Sequence, residues 1–195
     1  MTTMLTQILT QIIVIFWLLF IIYWFVSALQ AKKSVKGYSR LRSFWIPRLL
    51  IMVIIIFILQ FQSVRHFFDS SSAVVFGPTL NVLGVLLCAA GLGLAIWARV
   101  HLGRNWGMPM TVRQEPELVT SGPYRFIRHP IYSGILLAAL GSAFSSSTVW
   151  FLVVLGSAVY FVFSAHIEEQ LMLSQFPEQY PAYLKRTKRL IPFLY

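Results

Sequence analysis

Acidic residues and cysteine are scarce in this chain of 195 residues, which contains six Asp and Glu residues and one cysteine. The single cysteine, Cys88, leaves neither a disulfide framework nor a cysteine-rich metal site, and its apolar surroundings predict a small buried side chain. Charged residues make up only 11% of the sequence, whereas 57% is hydrophobic. This composition excludes an ordinary water-soluble domain. No polar stretch reaches the roughly 50 residues that a separate soluble domain needs.

Long apolar runs are what the chain has instead, and they predict an all-α integral membrane protein with five transmembrane helices. A helix of about 20 apolar residues crosses a bilayer with its backbone hydrogen bonds satisfied. The third run is rich in small residues that let helices approach closely. The fourth is short for a full crossing, and three serines join it to the fifth in a tight hairpin. The runs cover about residues 8–29, 47–61, 77–98, 130–144 and 148–165.

The net charge of +10 is concentrated between the apolar runs and near the C-terminus. Basic loops on one side of the membrane are the pattern of the positive-inside rule. We therefore interpret the charge as membrane topology and expect no nucleic-acid partner. The basic segment 32–42 is then cytoplasmic and the N-terminus lies outside. We expect no targeting peptide before the first helix, and this expectation suits a prokaryotic inner membrane.

Two polar islands interrupt the C-terminal half, at residues 117–134 (ELVTSGPYRFIRHPIYSG) and 166–169 (HIEE). Pro130 suits the first position of a helix, so His129 and its neighbour Arg128 are expected at the helix N-terminus, where partial positive charge and free N–H donors favour an anionic group. Each island alone could be explained by head-group anchoring or by the end of a helix. Together they favour a ligand site, covered by an amphipathic C-terminal helix. We expect a single membrane domain over residues 1–195, with three helices in 1–100 and the chemistry in 101–195.

The run GPYRFIRHPIYSG, followed by Glu168-Glu169, resembles the signature of the isoprenylcysteine carboxyl methyltransferase family and of the related phospholipid N-methyltransferases. The resemblance covers about residues 102–192. It implies an S-adenosyl-L-methionine-dependent methyltransferase that acts on a lipophilic or prenylated acceptor, or on a membrane lipid, at the cytoplasmic face. The implied catalytic residues are His129, Glu168 and Glu169. The implied cofactor-binding positions are Pro116, Glu117, Leu118, Val119, Tyr124, His129, Pro130, Ile131, Tyr132 and Glu168.

One position departs from the family members that act on prenylcysteine. Those proteins resemble one another in an arginine four residues before the first glutamate, where it would pair with the substrate carboxylate, and here that residue is Ser164. The acceptor therefore stays open between a prenylcysteine-like acid and an aminophospholipid, whose amine would have to lose a proton to Glu168, Glu169 or His166. The expected substrate-binding set, with the cations that could replace the missing arginine, is Ser164, Arg104, Asn105, Trp106, Arg186 and Arg189.

Two functions of other classes compete with methyl transfer. Sterol reductases resemble this family in their C-terminal half but use a nicotinamide cofactor and are larger in the N-terminal half. A non-enzymatic membrane protein could keep the motif as a scaffold. No metal is implied by either methyl-transfer route, since His101, His129 and His166 are not at metal-ligand spacing. The oligomeric state is open.

Overall fold

The computed structural model describes residues 2–28, 76–105, 117–145 and 150–192. Within these ranges the chain is helical, and no β-strand is found there. The helices are α1 (Thr2–Ala28), α2 (Pro78–Leu102), α3 (Pro130–Ser145), α4 (Trp150–Gln175) and α5 (Tyr180–Arg186).

Three helices in these ranges are long and apolar enough to cross a membrane, at Met4–Ser27, Pro78–Asn105 and Trp150–Gln175. They correspond to the first, third and fifth predicted spans. The fourth predicted span is α3, which has 16 residues and is as short as expected. The protein is an all-α integral membrane protein. The predicted second span and the basic segment 32–42 lie outside the described residues.

Helices α2 and α3 pack against each other along a seam of glycines. A Cβ atom added to Gly84 would lie 2.5 Å from the carbonyl oxygen of Gly141, and one added to Gly91 would lie 2.5 Å from that of Gly134. These glycines therefore allow contact between backbones, as the small residues of the third run predicted. Cys88 is fully buried beside this seam, which confirms its prediction as a small buried side chain.

Helix α1 packs against α2 and α3 through aromatic rings and a few hydrogen bonds. Trp17 and Phe20 lie in or against the buried cluster that also contains Leu92. The Trp17 Nε1–H donates to Ser142 Oγ at 3.0 Å, and Asn81 Nδ2 donates to Thr6 Oγ1 at 3.1 Å. Such bonds between helices supply specificity where lipid removes the hydrophobic driving force.

Helix α4 continues beyond the fifth apolar run. It runs to Gln175, so the second polar island, residues 166–169, lies inside the helix. The amphipathic helix predicted after the fifth span therefore begins as a direct continuation of that span, because Glu, Gln, Leu and Met are all good helix formers.

The chain then turns back beneath the helices. After α5 an extended segment reaches the start of α3, where an isolated parallel bridge pairs Ile127 with Lys188. The Arg128 N–H donates to the Lys188 carbonyl at 2.8 Å, and the His129 N–H donates to the Arg189 carbonyl at 3.1 Å. The second polar island and the C-terminal segment therefore meet at the N-terminal end of α3.

Candidate active site

The N-terminal end of α3 is formed as predicted, with Pro130 as its first residue. The expectation of free N–H donors there is wrong for Arg128 and His129, because both backbone N–H groups are bonded to the C-terminal segment. The carbonyls of Lys188 and Arg189 provide the negative partial charge that this helix end favours. A ligand at this end would be bound mainly by side chains.

The His129 ring is buried between two carboxylates. Its Nδ1 lies 3.4 Å from Glu168 Oε2, and its Nε2 lies 3.4 Å from Glu169 Oε1. Burial lowers the pKa of His129, but the hydrogen bonds and charges of the two glutamates outweigh burial and raise the pKa above its usual 6.5. The Nε2 atom is buried and faces Glu169, and this contact of 3.4 Å is longer than an ideal hydrogen bond. The His129 ring is therefore already paired with carboxylates on both sides.

Glu169 is the centre of an ion-pair cluster. Its Oε1 accepts from Arg128 Nε at 2.8 Å and from Arg189 Nε at 3.1 Å, and its Oε2 accepts from Arg189 Nη2 at 2.6 Å. Its side chain is only 7% exposed. A carboxylate bound in this way by two arginines is held rigidly and stays charged. Glu169 therefore connects α4, the start of α3 and the C-terminal segment.

Glu168 has different surroundings, although it is the next residue. Its side chain is partly exposed, and its Oε1 accepts a hydrogen bond of 2.6 Å from the Tyr132 hydroxyl. The Tyr132 ring is stacked with His129 and with Phe161, with centroid distances of 5.4 Å and 4.6 Å and nearly parallel planes. Tyr132 thus orients Glu168 through its hydroxyl, while Glu168 keeps acceptor capacity toward the open side.

Tyr124 belongs to a 3-10 turn, Gly122–Arg125, that precedes α3. Gly122 has φ of +57°, a left-handed conformation that favours glycine, and its Cα faces the ring of His101. The Tyr124 carbonyl accepts from the Tyr183 hydroxyl at 2.7 Å, which fixes α5 to this turn. Burial raises the pKa of both tyrosines, so their hydroxyls stay neutral.

Ser164 lies one helical turn before Glu168 and is completely buried. Its Oγ has no hydrogen-bond partner within the described ranges. Of the three cations proposed to replace the missing arginine, Arg189 belongs to the cluster and binds Glu169. Arg104 is exposed, and Arg186 is exposed with its guanidinium 5.6 Å from the centroid of the Tyr183 ring.

The other predicted positions surround this cluster less directly. Asn105 Nδ2 donates to Glu117 Oε2 at 3.1 Å, which joins two segments on either side of residues 106–116. Trp106 and Pro116 lie outside the described residues. Leu118, Val119 and Ile131 are partly buried, and His166 is exposed on α4.

Three contributors were missed by the sequence reasoning. Phe161 covers one face of Tyr132 and lies seven residues before Glu168, a spacing of two helical turns that could have indicated it. Thr187, whose carbonyl accepts from Arg128 Nη1, gave no signal in the sequence because its contact is formed only after the chain turns back. The sequence places Arg128 in the first polar island but gives no sign that its side chain binds Glu169.

Several known proteins are similar to this chain. The cobalt-zinc-cadmium resistance protein CzcN of Cupriavidus metallidurans is 33% identical over 118 residues, which are 60% of this chain and 49% of CzcN. The protein-S-isoprenylcysteine O-methyltransferase B of Arabidopsis thaliana is 28% identical over 123 residues, covering 61% of this chain and 59% of that protein. The chain thus spans about half of the length of the first of these curated relatives and less than two thirds of the second.

A solved structure and a family model also match the chain. The structure of the eukaryotic intramembrane Ras methyltransferase, isoprenylcysteine carboxyl methyltransferase, aligns with a TM-score of 0.54 and 28% identity, covering 60% of this chain and 46% of that one. The family model described as phospholipid methyltransferase matches residues 79–179, which are more than half of the 195 residues and include all of α2 after its first residue, all of α3 and all of α4. The chain therefore belongs to the phospholipid methyltransferase family.

Proposed function

We propose that this protein is an S-adenosyl-L-methionine-dependent membrane methyltransferase of the isoprenylcysteine carboxyl methyltransferase type, acting on a lipophilic acceptor. The observation that carries the proposal is the cluster of His129, Tyr132 and Glu168 at the N-terminal end of α3. Its residues belong to the motif by which the chain resembles these enzymes. The similarity to a plant isoprenylcysteine methyltransferase and to a solved intramembrane methyltransferase supports it.

The residues at this end of α3 fit the groups of S-adenosylmethionine. Ser164 Oγ is a buried polar atom with no hydrogen-bond partner among the described residues. Glu168 is partly exposed and can accept from an amino group or a ribose hydroxyl. We assign cofactor binding to Glu117, Leu118, Val119, Tyr124, His129, Pro130, Ile131, Tyr132 and Glu168, with Pro116 as an expected further member.

When bound, S-adenosylmethionine supplies an electrophilic methyl group on a sulfonium ion. The raised pKa of His129 favours its protonated form, so His129 would act as a hydrogen-bond donor and not as a base. An acceptor carboxylate needs no base, and the protein then has only to orient the acceptor and exclude water. An amine acceptor must lose a proton. Glu168 is the better candidate to take it, because Glu169 is already bound by two arginines.

In this proposal residues 1–195 form one membrane domain with five spans, and the site faces the cytoplasm while the N-terminus lies outside. The basic residues Arg128, Lys185, Arg186, Lys188 and Arg189 near the site support that orientation. A prokaryotic inner membrane is the location that we propose. The acceptor would reach the site from the bilayer, and Arg104, Asn105, Trp106 and Ser164 are assigned to its binding.

Titration of the detergent-purified protein with S-adenosylmethionine by calorimetry tests the proposal. We expect saturable binding to the wild-type protein. Glu168→Gln keeps the size of the side chain but removes its charge, so binding should weaken about tenfold or more, which corresponds to at least about 1.4 kcal/mol. The matched control is Glu178→Gln, a change of the same charge at an exposed residue between α4 and α5, and it should bind as the wild type does.

A folded wild-type protein that fails to bind S-adenosylmethionine would refute the proposal, and binding of NADPH instead would favour the reductase. Equal binding by Glu168→Gln and wild type would refute the role of Glu168 alone. The acceptor is then identified by transfer of a labelled methyl group. Transfer to N-acetyl-S-farnesylcysteine indicates the carboxylate acceptor, whereas transfer to phosphatidylethanolamine indicates the amine.

A further inference from the structure

An exposed patch of basic and apolar side chains lies on the C-terminal segment and on the turn before α3. Its apolar members are Phe126 and Ile191, each of which is 51% exposed. Its basic members are also exposed, and they are Arg125, Lys185, Arg186 and Lys188. We call these six residues the outer patch. Within the described ranges none of its four cations forms an ion pair, so their charges face solvent.

Backbone pairing brings the two parts of the outer patch together. The Lys188 N–H donates to the Phe126 carbonyl at 3.4 Å, beside the bridge between Ile127 and Lys188. The neighbouring residues Ile127, Thr187 and Leu190 are buried. Because these neighbours point inward, the exposed side chains between them point outward. The charged and the apolar members of the patch therefore lie on one outer surface.

The position of the outer patch along the membrane helices follows from its contact with α2. Gly122 begins the 3-10 turn that ends at Arg125, and its Cα faces the ring of His101 in the last turn of α2. This end of α2 is also the end of the candidate membrane span Pro78–Asn105. The patch therefore lies at the level where the membrane helices reach the lipid head groups.

Large apolar side chains beside lysine and arginine are typical of segments that lie on a membrane surface. The apolar groups enter the boundary of the lipid chains, and the cations attract anionic head groups. We propose that the outer patch binds anionic phospholipids of the leaflet at this end of the helices, with Phe126 and Ile191 inserted between their chains. This binding holds the C-terminal segment against the start of α3, because both contribute to the patch. The proposal concerns lipid binding and does not depend on methyl transfer.

The test is hydrogen exchange of the full chain in nanodiscs of phosphatidylcholine, with and without phosphatidylglycerol. The reporting amides are those of Arg128 and His129, which donate to the C-terminal segment and exchange when it detaches. Residues 170–178, around the end of α4, report the lower pH at an anionic surface, which slows exchange generally. Relative to them, the reporting amides should exchange about fivefold or more slowly with phosphatidylglycerol. High salt should remove this difference by screening the charges.

Variants locate the effect at the outer patch. Arg125→Gln combined with Lys188→Gln should lose most of the slowing by phosphatidylglycerol, yet exchange as the wild type does in phosphatidylcholine alone. Arg125→Lys combined with Lys188→Arg keeps both charges and should keep the slowing.

The apolar part of the outer patch has its own pair of variants. Phe126→Ser should reduce the slowing, whereas Phe163→Ser, at a 60% exposed residue within the candidate span of α4, should not. Equal relative exchange of the wild type in the two membranes, or full slowing in the variant without the two charges, would overturn the proposal. Full slowing in Phe126→Ser would overturn the insertion of its ring.

Discussion

The surroundings of His129 determine how the candidate site responds to pH. The ring is buried, which opposes protonation, yet the carboxylates of Glu168 and Glu169 lie within 3.4 Å of its two nitrogens. The carboxylates outweigh burial, and the pKa of His129 is raised in the folded protein. Protonated His129 therefore stabilises the fold.

Stability should fall as pH rises through the folded pKa of His129. A group whose pKa is raised by folding contributes its full stabilisation below the unfolded pKa of about 6.5, and this contribution is lost above the folded pKa. Melting temperatures measured from pH 6 to pH 9 check this. The wild type should lose more stability across this range than His129→Gln, which cannot titrate. Parallel profiles for the two proteins would contradict the prediction.

At the residue scale the sequence predicted the motif but not the contacts. His129 and Glu168 are close together as expected. Both belong to the two polar islands that the sequence predicts to form one site. The sequence could not predict that Glu169 is bound by two arginines while its neighbour Glu168 stays partly exposed. This difference depends on Arg128, which is 41 residues from Glu169 along the chain, and on Arg189, which is 20 residues away.

At the scale of the helices, the seam between α2 and α3 has the least tolerance for change. Two glycines of each helix face the backbone of the other, and a Cβ at any of them would collide with backbone atoms. Backbone cannot move aside as the end of a flexible side chain can. The helices would therefore have to separate, losing packing along the seam.

Two glycines of α2 test this with the same substitution. At Gly91 a Cβ would meet the Gly134 carbonyl oxygen at 2.5 Å, whereas at Gly93 nothing lies within 4 Å. Gly91→Ala should destabilise the protein by about 1–3 kcal/mol. Gly93→Ala should be neutral or stabilising by up to about 1 kcal/mol, since alanine is the better helix former. Thermal unfolding in detergent measures both, and a Gly91→Ala protein as stable as Gly93→Ala would show that the seam is not tight.

The sequence indicated close packing of α2 but not which glycines make it, because Gly91 and Gly93 differ only in the face of the helix that they occupy. The end of α4 could not be predicted either. Polarity marks where a helix leaves the membrane, but the helix itself continues while its residues favour it, and here it continues to Gln175.

At the scale of the whole molecule, the C-terminal segment packs over the end of the structure where α3 begins. It pairs with the start of α3 through Ile127 and Lys188, and Arg189 binds Glu169 of α4. Three parts of the chain that are distant in sequence are thus joined at one place. The long apolar runs predicted the all-α membrane class, since a helix satisfies its own backbone hydrogen bonds in lipid. They could not predict this packing, which depends on tertiary contacts.

Removing the ion pair of Arg189 should loosen this packing. In Arg189→Gln the buried Glu169 keeps Arg128 but loses two charged hydrogen bonds, so we expect destabilisation by about 1.5–3 kcal/mol. Lys188→Gln removes the same charge from the neighbouring exposed side chain and should change stability by less than about 0.5 kcal/mol. Thermal unfolding compares the two. Equal losses would mean that net charge, and not the Glu169 contact, is responsible.

The burial of Cys88 has a practical consequence. It is the only cysteine of the chain, it is fully buried beside the glycine seam, and its sulfur faces the Ser142 hydroxyl at 3.9 Å. Because it packs in one cluster with Ile13 and Phe20 of α1 and Ala138 of α3, a thiol-reactive dye can reach it only after these helices move apart. The rate of labelling of Cys88 therefore measures how often this part of the helix packing opens. The measurement needs no engineered cysteine.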